Sequence, residues 1–322
     1  MSKDQVKEHA PLYLFLKQNL YIDKLTDIKI LQREKSSRRS VIYKAGNRVF
    51  KNESEYFLNN CYPAIKNLYS IDKKFIPNYK LALKSGKPYL FYYKYIEGKE
   101  LDDYVSCFFY NNKKNNIINS INNFIKFYIK IDANDIFCGK PELAVVSAED
   151  PKLSNLYPGG IDYMYKKLKN SHYRKLLNIN NSFYYNLKKI YNTSITKQKK
   201  TKKTLVMFKD LNSQNIIVDN KNNIKLIDVS DGLNIGNFNL CIHRYFSLLW
   251  MFGEKVMDKA IKDCNIDNDI FVKELSFFYF YLYSIDIFKS SIIKRLIFNY
   301  RCSKICKKMV KSLENRYPSS NV

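Results

Sequence analysis

Three oxygen-bearing side chains stand in a chemically suggestive pattern within residues 205–232, LVMFKDLNSQNIIVDNKNNIKLIDVSDG. Asp210 is followed by Asn215 five residues later and by Asp228 thirteen after that. The stretch reads as strand, tight polar loop, strand, turn at Asn220 to Asn223, strand and carboxylate. A hairpin of Ile216 to Val218 with Ile224 to Ile227 is expected to set Asn215 and Asp228 side by side. Phosphoryl transfer needs few covalent participants: a carboxylate to orient the acceptor hydroxyl, and oxygen ligands to hold Mg²⁺ on the phosphates. In that chemistry Asp210 takes the hydroxyl, and Asn215 and Asp228 take the metal.

Such residues need a scaffold. Residues 27–51 alternate short β-like runs with polar turns: DIKILQ, the loop REKSSRRS, SVIYK, the turn AGN, then RVFK. In NESEYFLNNCYPAIKNLY, the apolar Tyr56, Phe57, Cys61 and Ile65 have helical spacing. LALK and PYLFYYKYI, joined by the turn Ser85-Gly86-Lys87, read as a hairpin with an aromatic-rich second strand. Gly98 then permits a bend. From Lys99 the pattern is helical, and IINSINNFIKFYIKI is its clearest amphipathic stretch, with Ile117, Ile118, Ile121, Phe124, Ile125 and Tyr128 on one side. A Pro- and Gly-bearing loop, GKPELAVVSAEDPKLSNLYPGG, and a lysine-rich loop, TSITKQKKTKKT, lie between there and the Asp210 segment. Residues 236–322 read as helical again. They close on the basic amphipathic run SSIIKRLIFNYRCSKICKKMVKSLENRY, expected to pack on the larger part of the molecule, with contact to an anionic bilayer as the alternative.

FKDLNSQN followed by LIDVSDG resembles the catalytic loop and metal-binding Asp of the protein-kinase-like superfamily, [HF]-x-D-L-x-x-x-N with an Asp about a dozen residues on. The ending I-D-V-S is closer to aminoglycoside phosphotransferases and lipopolysaccharide-core kinases than to the Asp-Phe-Gly of protein kinases. The resemblance covers roughly residues 27–250. It implies an α+β, bilobal protein-kinase-like fold: an N-terminal extension (1–26), a small antiparallel β-rich nucleotide-binding lobe with one helix (27–96) and a large, mainly helical lobe (97–322). It also implies ATP and Mg²⁺ as cofactors, Asp210 as catalytic base, and Asn215 and Asp228 as metal ligands. Lys51 ends the third strand, where the family places the lysine that holds the α- and β-phosphates. Its helix partner is Glu53 or Glu55, and Glu53 fits better because Phe57, Cys61 and Ile65 follow it at four-residue steps. PYLFYYKYIEGKELDDY resembles the last small-lobe strand and hinge, so backbone groups from Lys94 to Ile96 are expected at the adenine edge.

Three departures from the family stand out. REKSSRRS lacks a glycine-rich phosphate cover, although Ser36, Ser37, Arg38 and Arg39 offer N–H groups and positive charge. Phe208 replaces the usual His, at a position that mainly packs. Asn212 stands where protein kinases carry a phosphate-contacting Lys and aminoglycoside phosphotransferases often carry His.

Tyr95 lies 115 residues before Asp210, far more than protein kinases use, and no Ala-Pro-Glu segment follows Asp228. Both features favour a sugar-like or lipopolysaccharide-type acceptor over a protein. A divergent Ser/Thr protein kinase and a pseudokinase binding module are the alternatives. Lys and Arg number 55 against 30 Asp and Glu, a formal charge of +25. That charge suits an anionic, membrane-associated glycan better than a cationic antibiotic. Nucleic acid is an unlikely partner, because charge alone argues for it and no recognised binding motif accompanies the charge. Seven scattered cysteines without a CxxC pair suggest a reducing compartment. The N-terminus has no signal-peptide pattern, and the apolar run from Phe277 to Tyr283 is too short to span a bilayer. A cytoplasmic protein, peripheral to a membrane at most, is the expectation.

Overall fold

The computed structural model describes residues 14–19, 28–31, 42–53, 55, 57–83, 89–104, 115–137, 166–187, 189, 204–208, 211–227, 229, 233–266, 272–285 and 292–316. The chain is α+β and divides into two compact units, 1–97 and 98–322.

Unit 1 is built on a five-stranded antiparallel sheet: β1 (Ile28–Ile30), β2 (Ile42–Ala45), β3 (Arg48–Glu53), β4 (Lys80–Leu83) and β5 (Tyr89–Lys94). The spatial order is β1-β2-β3-β5-β4, so β5 inserts between β3 and β4. A glycine turn makes the first hairpin possible, since Gly46 sits at φ 56°, where a Cβ is disfavoured. Between β3 and β4 the chain forms a single π-type turn, Phe57–Cys61, and helix α1 (Tyr62–Ile71). Pro63 lies in the first turn of α1, where its missing N–H costs nothing. Phe57, Cys61 and Ile65 are all buried, as their spacing predicts.

The two sheet faces have different covers. On one, Phe91 meets Phe57 edge-on at 4.8 Å and Tyr62 at 4.9 Å, under α1. On the other, Tyr43, Phe50 and Leu90 pack with Leu16, which is fully buried. Residues 14–18 are helical, and Phe15 and Leu16 join this core.

Unit 2 begins at β6 (Gly98–Glu100), which pairs with β8 (Ile216–Asp219), itself paired with β9 (Ile224–Leu226). A separate ladder joins β7 (Thr204–Phe208) to β10 (Leu233–Asn237). Gly98 is required for close approach rather than for a bend. It has no positive φ, and a Cβ there would strike the Val218 carbonyl oxygen and lie 2.8 Å from Ile217 Cγ2.

The described helices of unit 2 are α2 (Asn115–Tyr128), α3 (Ser171–Leu177), α4 (Glu254–Asp263), α5 (Val272–Ser284) and α6 (Ile292–Arg316), with shorter turns between them. The face of α2 read from the sequence is the one buried: Ile117, Ile118, Ile121, Phe124, Ile125 and Tyr128. Helix α6 packs on α5 as expected, Phe298 against Phe280 and Tyr281 at 6.0 and 5.9 Å. No described helix is long and apolar enough to cross a membrane. The helical spacing of Cys302 and Cys306 buries both on the inner face of α6. Burial raises both thiols, Cys306 to about 12, so they are held as inert thiols.

Candidate active site

In unit 1 the sheet places the lysine. Lys51 and Glu53 are two residues apart on β3, so the period of a strand puts both on the α1 face. Lys51 Nζ lies 3.0 Å from Glu53 Oε1, and both side chains are only 5% exposed. The sequence reading had the carboxylate coming from a helix. Instead β3 continues through Glu53, whose cross-strand partner is Tyr89, and the helical turn starts only at Phe57. The pair therefore lies within one strand rather than between strand and helix. Glu55 is exposed. Two charges taken out of water together demand each other, and removing one partner of such a pair typically costs about 3–5 kcal/mol.

The far end of β5 has a defined peptide edge. The Tyr95 N–H donates to the Asn47 carbonyl at 2.7 Å, so Tyr95 faces β3. Peptide groups alternate sides along a strand, so those of Lys94 face the β4 side, past the first residue of β4, Lys80, which pairs with Tyr92. The Lys94 side chain is exposed and Ile96 is half-buried.

In unit 2 two ladders frame the segment singled out above. Its entry is Phe208, 2% exposed, the last residue of β7 and the cross-strand partner of Leu233. The Phe208 ring packs against Tyr128 at 5.1 Å and Phe124 at 6.4 Å, which gives the position the packing role expected of it. Tyr245 donates its hydroxyl to the Val206 carbonyl and holds the same strand from behind. The exit is the β8–β9 hairpin. Its turn is closed by Asp219 Oδ1, which accepts from the N–H groups of Lys221 and Asn223, both at 2.8 Å. Asn222 takes the left-handed conformation there, φ 61°, which Asn tolerates. The Ile224 N–H donates to Ser120 Oγ at 3.0 Å, tying the hairpin to α2. One helix therefore anchors both sides of the segment.

Asn215 ends a 3-10 turn, Ser213–Asn215, immediately before β8, and is buried. Its carbonyl accepts from the Ile227 N–H at 2.9 Å, so its ladder position is opposite Ile227, the residue before Asp228. Its own N–H donates to Asn212 Oδ1 at 3.1 Å. With both main-chain groups used by the fold, the residue's chemical offering is its carboxamide. Asp210 and Asp228 lie outside the described residues, as do the loop REKSSRRS and the lysine-rich run 193–203. Among the described residues no group of three or more His, Cys, Asp or Glu is placed to hold a metal. A carboxamide oxygen is a hard donor of the kind Mg²⁺ accepts.

Two residues unremarked or unexplained in the sequence shape this loop. Asn212 Oδ1 accepts from the N–H groups of Gln214 and Asn215, at 3.0 and 3.1 Å. It is the N-cap of the 3-10 turn, which accounts for an Asn where relatives of the motif carry a cation. Ser213 donates its hydroxyl to Asp102 Oδ1, linking the turn to the 3-10 helix Leu101–Tyr104 that follows β6. The motif marked Asn212 as a departure but said nothing of its capping. Nothing in local spacing marks the Asp102–Ser213 contact.

No protein-family model matches the chain, and no curated protein sequence matches it. Several solved structures are similar in arrangement. An aminoglycoside phosphotransferase from Streptomyces rimosus is 12% identical with a TM-score of 0.46, over 85% of this chain and 97% of its own. A macrolide 2'-phosphotransferase from Brachybacterium faecium is 9% identical with a TM-score of 0.45, over 98% of this chain and 100% of its own. A choline/ethanolamine kinase family protein from Mesorhizobium loti is 9% identical with a TM-score of 0.48, over 95% of each chain. None of them fixes an activity for this chain, whose own strands, helices and loop are arranged in the order expected of a protein-kinase-like fold: an antiparallel sheet broken by one helix, then a mainly helical unit carrying the β7–loop–β8–β9 segment.

Proposed function

We propose that this chain is an ATP-dependent phosphotransferase that phosphorylates a hydroxyl of a sugar-like or lipopolysaccharide-type acceptor. The observation that carries the reading is the framed loop. A buried strand end, Phe208, stands before the segment, and a capped turn stands after it, whose last residue, Asn215, is hydrogen-bonded opposite Ile227. In sequence, Asp210 precedes that turn by a few residues, Asn215 ends it, and Asp228 follows the second strand of the hairpin.

In this reading the bond from the γ-phosphorus to the β–γ bridging oxygen breaks, and a bond from that phosphorus to the acceptor oxygen forms. Asp210 orients the acceptor hydroxyl and takes its proton, and ADP leaves. Lys51, held by Glu53, meets the α- and β-phosphates. The peptide groups of Lys94 and Ile96 meet the adenine edge. Asn215 and Asp228 would hold Mg²⁺, which would supply charge neutralisation at the phosphates. The excess of 25 positive charges favours an anionic glycan as acceptor.

The test is transfer from labelled ATP, with magnesium, to a panel of sugars, lipid-linked glycans and a generic protein. Label on a glycan hydroxyl supports the reading, and label on the protein or the enzyme itself moves it to a divergent protein kinase. Asp210→Ala is expected to lower transfer by about 10²–10⁴-fold, the range for a general base, with ATP affinity kept. Near-normal turnover in that variant removes Asp210 from its role.

A further inference from the structure

Helix α6 buries one face against the described residues. Phe298, Asn299, Cys302, Cys306, Met309, Val310 and Leu313 are buried on it. Asn299 Oδ1 accepts from the Tyr281 hydroxyl at 3.3 Å, and Glu314 accepts from Asn180 at 3.1 Å. The opposite face is unlike any other surface of the described chain. Ile292, Ile293, Leu296, Ile297 and Tyr300 are 76, 72, 62, 44 and 73% exposed. Their spacing is that of a helical stripe running about 12 Å along the axis. The other exposed large hydrophobics among the described residues, Leu14, Leu31, Ile71 and Tyr185, are scattered. The same face then changes character. Stepping on from Tyr300 by four, three and four residues gives Lys304, Lys307 and Lys311, all exposed.

A stripe of this kind marks an interaction surface, and its charge selects the partner. Residues 292–313 contain seven basic residues and no acidic one. A second copy offering the same face would bring cations against cations. Nucleic acid would meet the lysines but leave five apolar side chains without a purpose. An anionic bilayer answers both halves: aliphatic side chains enter the headgroup layer while lysines sit at the lipid phosphates. We infer that the outward face of α6 is a docking surface for an anionic lipid bilayer, with Ile292 to Tyr300 as the inserted part and Lys304, Lys307 and Lys311 as the electrostatic part. Because α6 is anchored through its other face, the helix lies in the plane of the surface and stays folded when the protein leaves it. The inference stands apart from the proposed catalysis and uses none of its residues.

Co-sedimentation of the full chain with vesicles tests it. One set is phosphatidylcholine alone, and the other is phosphatidylcholine with phosphatidylglycerol. The protein is expected to pellet with the anionic set only, and less so as salt is raised. Lys304→Gln/Lys307→Gln/Lys311→Gln should lower the partition coefficient roughly a hundredfold, from the usual contribution of each lysine near a charged surface. Ile292→Ser/Ile293→Ser/Leu296→Ser/Ile297→Ser should abolish pelleting. All these positions are exposed, so both variants should keep the parent's unfolding midpoint, which is measured alongside. Failure of the parent to bind anionic vesicles overturns the inference, and so does equal partition to the two vesicle sets. It is also overturned if the serine variant partitions like the parent, or if light scattering shows a dimer that the serine variant disperses while vesicle binding is absent.

Discussion

The lysine strand of unit 1 and the loop of unit 2 hold their chemistry in different ways. On β3 the main chain does the placing: hydrogen-bonded neighbours on both sides fix the strand, and a two-residue step sets Lys51 and Glu53 on one face. The pair is then enforced by burial. In the loop the ladders stop at Phe208 and resume at Ile216. The described residues between, 211–215, are held by the side chains of Asn212 and Ser213, and by Asp102 from another part of the chain. A site built on a ladder is sensitive to loss of its own charges. A site built on caps is sensitive to its neighbours.

The largest effect should come from the ladder-built site. Lys51→Met leaves Glu53 buried without its cation, and the expected loss of stability is about 3–5 kcal/mol. Urea unfolding measures it. Lys51→Met/Glu53→Gln removes both charges and should regain most of that stability, while ATP affinity measured by titration stays lost. If the double variant binds ATP like the parent, the pair is structural only and the comparison loses its first half.

The middle effect belongs to the cap. Asn212→Ala frees two N–H groups of the turn, a loss of about 2 kcal/mol at the upper end for an N-cap. The expected signature is a fall in kcat with KM for ATP little changed, because the lysine strand is untouched. Asn212→Ser, another good N-cap, should recover much of it. Failure of Ser to rescue would mean that the carboxamide acts on the substrate rather than on the turn.

The two regions also differ in how far residues alone reveal them. Short β-rich runs bounded by turn residues were enough for β1 to β5, although β3 continues two residues past the predicted RVFK. The α2 face was readable at Ile117 to Tyr128 from its helical period of about 3.6 residues. Lys51 was singled out because the family resembled carries a lysine on its third strand, and the structure does put it on β3. Glu53 was placed on a helix because Phe57, Cys61 and Ile65 continue its four-residue steps, whereas the ladder to Tyr89 holds it in β3. That is a tertiary effect with no local trace. Gly98 looked like a bend, but its reason is the Val218 carbonyl across the sheet. The two faces of α6 were blended in one basic amphipathic pattern, and only packing separates the buried Phe298 from the exposed Tyr300. The loop's three oxygen-bearing residues were legible as a motif, while its supports were not.

The Asp102–Ser213 contact joins residues 111 apart in sequence and supplies the finest test of the comparison. Asp102 is half-exposed, so the hydrogen bond is expected near the low end of its range, about 1 kcal/mol. Ser213→Ala and Asp102→Ala should each slow turnover by about tenfold at most, the rate equivalent of that energy. Their KM for ATP should match the parent, since neither residue touches the lysine strand. Asp102→Asn keeps an acceptor oxygen for the Ser213 hydroxyl and should restore kcat, which a role depending on negative charge would not allow. The double variant Ser213→Ala/Asp102→Ala should lose no more than either single one, because both break the same contact. Additive losses in that cycle would show two separate roles. The loop would then be held by something other than this bond, and the contrast between a ladder-built and a side-chain-built site would rest on Asn212 alone.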